Sequence, residues 1–345
     1  MPKTSVSTTA AIAAGAGDEE VVLRPYQAPD LGRSLWQIVT SFGGFASVSL
    51  PLYLAVDRGW YWAIPLLTPL AAGFLIRIFI IQHDCGHGSF FRSRRANDLV
   101  GMLCSLLTLA PYSAWRRQHA RHHRISNNLD LCALSADIYS SCLTVSQYQA
   151  LSPGQRRQQR LLRHWFVSNL LLPPLIFLVL YRLPLDTPLS WRSERRGVYL
   201  TDLALVLEGA LVVWLLGAQA LVAIELPAVA LASIAGVWMF SIQHRFEHTL
   251  WMRKDEWSFR AAALKGSSYL RLPPLLQWFT GNIGYHHIHH LNPAIPNYRL
   301  EECHQANPPL HGAKVLTLRQ ALGQWRYALW HEGLGRMVPF PAAAD

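Results

Sequence analysis

The chain has 345 residues, 51% of them hydrophobic, with 31 basic against 21 acidic side chains and a formal charge of +10. Five cysteines, an odd number with no CxxC pair, argue against a disulfide framework. No basic-aromatic recognition module accompanies the positive charge, so nucleic acid is not an expected partner. The apolar residues instead collect in runs of about 20, the length that crosses a bilayer core, and basic loops beside anionic headgroups account for the charge.

Residues 1–23 read as a disordered tail without a cleavable signal, and residues 24–345 as one domain. Spanning helices are expected at about 35–56, 59–81, 197–217 and 220–243. Residues 98–112 are apolar but short. Residues 164–183 contain Asn169, Pro173 and Pro174, and proline breaks or kinks a helix interior. That segment is therefore laid in the membrane interface. Counting it as a crossing would put the histidine clusters on opposite sides. With four spans, "RRQHARHHR", "RRQQRLLR" and "RSERR" all face the cytoplasm, which is the positive-inside pattern.

Histidine gathers at four places: "HDCGH" (83–87), "HARHH" (119–123), "QHRFEH" (243–248) and "YHHIHH" (285–290). His83 and His87 are four apart, so on a helix they share a face to within about 40°. His119 meets His122 and His123 one turn later, and His286 meets His289 and His290 in the same way. His244 and His248 are again four apart. Neutral imidazole is the commonest metal ligand, and these clusters hold more of it than one ion accepts. Two metals are the natural count. Imidazole suits Zn, Cu, Fe and Ni alike, and the ExxH motif of soluble di-iron bundles is absent. His164, His304, His311 and His331 have no such partners and read as structural or solvated.

The runs "IQHDCGHGSFF" (81–91), "PYSAWRRQHARHH" (111–123), "QHRFEHT" (243–249) and "GNIGYHHIHHLNPAIPNY" (281–298) resemble the membrane fatty-acid desaturases, in the acyl-lipid branch with bacterial and plastid members. The resemblance extends from roughly residue 24 to residue 340. It implies an all-α integral membrane protein of four transmembrane helices, with a cytosolic helical cap holding a histidine-ligated dinuclear site. It also implies two non-haem iron ions, O2 as oxidant, and a cis double bond placed in a membrane acyl lipid. Carried over by position, the ligands are His83, His87, His119, His122, His123, His286, His289 and His290, with His248 as the extra ligand between the second and third boxes. His244 stands where some relatives bridge to iron through water. His287 has no counterpart among the ligands and is expected to orient a neighbour. After the second box, relatives carry a Gly- and Arg-containing turn between two aspartates; here Asp130 and Asp137 enclose "LCALSA".

A hydroxylase or ketolase on the same scaffold is the alternative function, because hydrogen abstraction precedes the choice between alkene and alcohol. The chain shows no GxGxxG, iron–sulfur cysteine set or haem-binding "HPGG", so electrons are expected from a separate ferredoxin-like or cytochrome b5-like donor. Arg116, Arg117, Arg121 and Arg124 are placed to steer an acidic carrier. The expected location is the bacterial inner membrane with the site facing the cytoplasm. Arg77 and Glu208 fall inside spans, where a charge is costly and usually paired; an ion pair between them is one expectation. Tyr112 and Trp115 are candidates for the substrate entrance.

Overall fold

The computed structural model describes residues 21–132 and 138–342. Most of the expected tail, residues 133–136 of the "LCALSA" turn, and Asp137 lie outside the described residues. Val21 and Leu23 pack against the core, and the Val22 N–H donates to Asn307 Oδ1 at 2.7 Å, so the packed chain includes these three residues.

Helix α1 (Leu31–Asp57) starts where Asp30 accepts from the Arg33 N–H at 2.9 Å, a side-chain cap that satisfies one free donor of the first turn. Helix α2 (Ile64–His87) continues six residues beyond the expected end of its apolar run. The polar stretch "QHDCGH" is helical too, and the helix stops only at Gly88, whose φ of 74° is the left-handed cap that glycine adopts without strain. Helix α3 (Arg94–Thr108) folds back along α2. Thr108 donates to Gln82 Oε1 at 2.6 Å, and Gln82 Nε2 donates to the Ala110 carbonyl at 2.9 Å. Helix α4 (Tyr112–Ile125) then returns past the end of α2.

Beyond the short strand β1 (Leu143–Thr144) come α5 (Pro153–Leu162), a π-helical turn at Val167–Leu171, and α6 (Leu172–Leu178). The two halves of this region bend by 53°. The break falls at Arg163 to Phe166, and Pro173 and Pro174 interrupt the normal ladder further on. Helix α7 (Arg192–Leu216) and α8 (Leu226–His244) follow, the second entered through Ala218–Glu225.

Among the described residues four helices, Leu31–Asp57, Tyr61–His87, Arg192–Leu216 and Ala218–His244, are long and apolar enough to cross a membrane, or up to five if the bent pair counts as one span. Leu200, Leu203, Val206 and Leu207 of α7 are all exposed. A contiguous apolar face of that kind needs a partner other than water.

The remaining chain folds over one end of these helices. Short helices α9 (Pro274–Phe279) and α10 (His286–Leu291) sit among β2 (Tyr269–Arg271), β3 (Val315–Thr317), β4 (Leu329–His331) and β5 (Arg336–Val338). β2 pairs with β3 in parallel, and β4 joins β1 to β5. The fold is predominantly helical as expected, with these small sheets added. Ile80, Ile242, Phe246, Ile288 and Leu300 form one buried cluster that fastens this cap to α2 and α8.

Candidate metal centre

Four helices bring nine histidines together as two groups. The first holds His83 and His87 from α2, His119 and His123 from α4, and His289 from α10. The second holds His122 from α4, His244 from α8, and His286 and His290 from α10. Helix geometry explains the division. Adjacent residues step about 100° around the axis while residues four apart differ by about 40°. His119 and His123 therefore point together, and His122 points to the other group. His286 and His290 likewise point together, and His289 crosses over. Each of α4 and α10 supplies both groups.

The contacts are short. His123 Nε2 lies 3.1 Å from His119 Nε2 and 3.0 Å from His289 Nε2. His244 Nε2 lies 3.1 Å from His122 Nε2 and 2.9 Å from His286 Nε2, and His122 Nε2 lies 3.3 Å from His290 Nε2. The groups adjoin: the His123 and His290 rings stack with centroids 4.2 Å apart.

One imidazole nitrogen meeting two others cannot satisfy both as donor and acceptor, whereas nitrogens around a cation converge in just this way. With metal–nitrogen bonds of about 2.0–2.1 Å, neighbouring donors stand about 2.9 Å apart on an octahedron and about 3.3 Å on a tetrahedron. The observed spacings match that range. Burial, reinforced by the neighbouring imidazoles, holds His119, His123, His286, His289 and His290 well below the ordinary histidine pKa, and His122 at about 3. The rings are thus neutral and ready as ligands.

Expectations for His248 and Arg77 change. His248 joins neither group: α8 ends at His244, with Arg245 at φ −134° and ψ 89°, so His248 lies on an exposed turn. The i/i+4 argument fails because the helix stops, and His244 rather than His248 stands in the second group. Arg77 does not pair with Glu208. Its guanidinium stacks 3.9 Å from the Trp278 ring centroid and donates to the Trp278 carbonyl. Arg182 instead pairs with Asp202 of α7 at 2.7 Å. His287 is fully buried and turned away from both groups, toward the rings of His304 and Tyr269.

A cavity of about 540 Å³ opens against the histidines and is touched by His83 and His119 of one group and His122 and His286 of the other. Its walls are mainly apolar, including Leu75, Phe79, Ile176, Val229 and Phe240. Between Val229 and Gln243, both lining it, α8 rises about 21 Å, so the cavity is deep as well as apolar. Trp115 lines it and stacks on His119 with centroids 4.7 Å apart. Tyr112 does not; its hydroxyl donates to the Cys85 carbonyl at 2.9 Å. Reading single segments missed Phe79, Val229 and Phe240, since apolar residues in a span carry no local mark of facing a cavity.

Of the arginines of α4, Arg117 pairs with Glu194 at 2.8 Å, Arg116 pairs with Asp98, and Arg121 borders the cavity. Arg121 and Arg124 are exposed and have no ion pair among the described residues.

Fold and site together define a helical, membrane-type protein with two adjoining histidine groups able to hold metal and an apolar cavity against them. A family model described as Fatty acid desaturase matches residues 60–321. The chain is 40% identical over 314 residues to the Fatty acid desaturase of Bacillus subtilis, covering 91% of this chain and 88% of the relative. It is 27% identical over 263 residues to the sn-1 oleoyl-lipid 12-desaturase of a Picosynechococcus species, covering 71% and 69%. With the omega-3 fatty acid desaturase of the endoplasmic reticulum of Nicotiana tabacum it shares 28% over 275 residues, covering 76% and 65%. The chain belongs to the fatty acid desaturase family, oxidoreductases that act on paired donors and reduce O2 to water.

Proposed function

We propose that His83, His87, His119, His123 and His289 hold one iron ion and His122, His244, His286 and His290 a second. The protein then converts –CH2–CH2– of a membrane acyl lipid into a cis –CH=CH–. The step balances with one O2, two electrons and two protons consumed and two waters formed. Iron in this all-imidazole setting supplies the oxygen activation that an unactivated methylene requires. The protein's own contributions are positional. Neutral rings from four helices hold the ions, and the apolar wall from Leu75 to Val229 takes the acyl chain and excludes water. Trp115, stacked on His119, restrains that ring at the cavity edge.

The observation that carries this reading is the cavity itself, which touches histidines of both groups. An apolar chain lying in it passes beside both centres at once. Four crossings, with the bent segment at 164–183 in the interface, keep every histidine box on the side of the basic loops. That orientation puts the site at the cytoplasmic face of the bacterial inner membrane. The uncompensated Arg121 and Arg124 give an acidic ferredoxin-like or cytochrome b5-like donor a landing surface there.

Expression in a host lacking polyunsaturated lipids, followed by mass spectrometry of fatty-acid methyl esters, tests the function. A new cis alkene dependent on oxygen and iron is expected. A hydroxy or keto product without alkene would assign the protein to hydroxylation instead.

A further inference from the structure

Asp84 lies between the first two histidines of the site, in the last turn of α2, and is 1% exposed. A carboxylate buried this deeply is costly unless a cation or several donors surround it. No lysine or arginine pairs with it among the described residues. Its Oδ1 lies 3.1 Å from His83 Nδ1. Its Oδ2 accepts from the Asn297 backbone N–H at 2.7 Å and from Asn297 Nδ2 at 2.8 Å. Asn297 Nδ2 also donates to Gln37 Oε1 in α1 at 3.2 Å. One carboxylate thus joins α1, α2 and the segment that follows α10.

We propose that Asp84 is the positioning residue of the five-histidine site, an inference that rests on reading the two histidine groups as metal sites. Accepting from His83 Nδ1–H selects one tautomer and leaves the Nε2 lone pair for the ion. The same carboxylate places a negative charge one imidazole away from an ion whose other ligands are neutral, which raises the basicity of His83 as a donor. Among the described residues the second group has no carboxylate on a ring nitrogen. The hydrogen bonds of its ring nitrogens to residues outside the group are to neutral partners and long: His244 Nδ1 to the Gly266 carbonyl at 3.3 Å, and His290 Nδ1 to Ser126 Oγ at 3.4 Å. The two sites therefore differ in affinity, and the five-histidine site is the tighter. Asn297 in turn fixes Asp84, so the "NPAIPNY" flank of the third box acts on a ligand of the first.

Ferrous iron added anaerobically to chelator-treated protein, with iron counted per folded monomer, tests this without measuring turnover. Wild type is expected to bind two ions. Asp84→Asn keeps the shape and removes the charge; it should weaken the five-histidine site by about 10–100-fold, leaving about one ion at limiting free iron. Combining it with His244→Ala should leave none. Asn297→Ala, which removes one donor from the carboxylate, should give a smaller loss at the same site and decides the matter if Asp84→Asn does not fold. Two ions bound by folded Asp84→Asn at wild-type affinity would overturn the proposal, as would equal weakening of both sites or a lower melting temperature with iron binding intact. Wild type that binds no iron would instead overturn the metal reading itself.

Discussion

Replacing His244 by alanine removes one of the four imidazoles of the second group, and two of the short nitrogen contacts, at 3.1 Å and 2.9 Å, go with it. Loss of a group that only orients a ligand weakens metal binding about 10–100-fold, so loss of a ligand should cost at least the upper figure. A hundredfold weaker site forfeits about 2.7 kcal/mol of the stability that bound metal contributes, because that contribution follows the logarithm of ligand concentration over Kd. His248→Ala is the paired control, since an exposed turn residue away from both groups should change stability by no more than about 0.5 kcal/mol. Iron analysis and thermal unfolding of the two purified variants give the answer. His244→Ala should retain about one iron and melt earlier when loaded, while His248→Ala retains two and turns over normally. Full iron in His244→Ala, or loss of iron in His248→Ala, would refute the division into five and four.

Gly236 lines the cavity and an added Cβ there meets no atom within 4 Å; Gly236→Ala should be tolerated and Gly236→Phe should lower kcat/KM at least about tenfold with both irons kept, which methyl-ester analysis beside iron counting reads directly. The metal-free protein should lose stability as pH falls below 6.5. Its buried imidazoles stay neutral while those of the unfolded chain take up protons, so the unfolded state binds more protons and gains. For His122, shifted from 6.5 to about 3, the loss at pH 5 is about 2 kcal/mol, and an unfolding series from pH 7.5 to 5 that stays flat would contradict this. Cysteine placed at Leu185 or Leu189, which are 76% and 80% exposed, should react with impermeant reagent from the cytoplasmic side alone; labelling from outside would make the bent segment a fifth span. Arg77→Leu removes the stack on Trp278 and should destabilise the protein by about 2 kcal/mol, the scale of a desolvated cation–π contact, seen as a lower melting temperature.

What could be read from the chain was local. A helical face repeats every three to four residues, so the pairing of His83 with His87 followed from spacing alone, while His119 faced both His122 and His123, and His286 both His289 and His290, with nothing local to choose between them. Long apolar runs marked the four candidate spans, because a bilayer core demands about 20 such residues whatever they pack against. Where local geometry changes, that reading stops. The periodicity of His244 and His248 was sound for a continuous helix and failed because α8 ends between them, at a residue with no glycine or proline to announce the end. The partners of Arg77 and Asp84 were equally out of reach. Trp278 is 201 residues from Arg77 and Asn297 is 213 from Asp84, and no short-range preference encodes either contact. Tertiary packing decided which histidines gather in each group, because the division turns on how α4 and α10 are rotated against α2 and α8. It also decided that the apolar residues of α2, α6 and α8 face a cavity rather than lipid. Hydrophobicity, which does not distinguish an acyl chain inside the protein from one outside it, cannot.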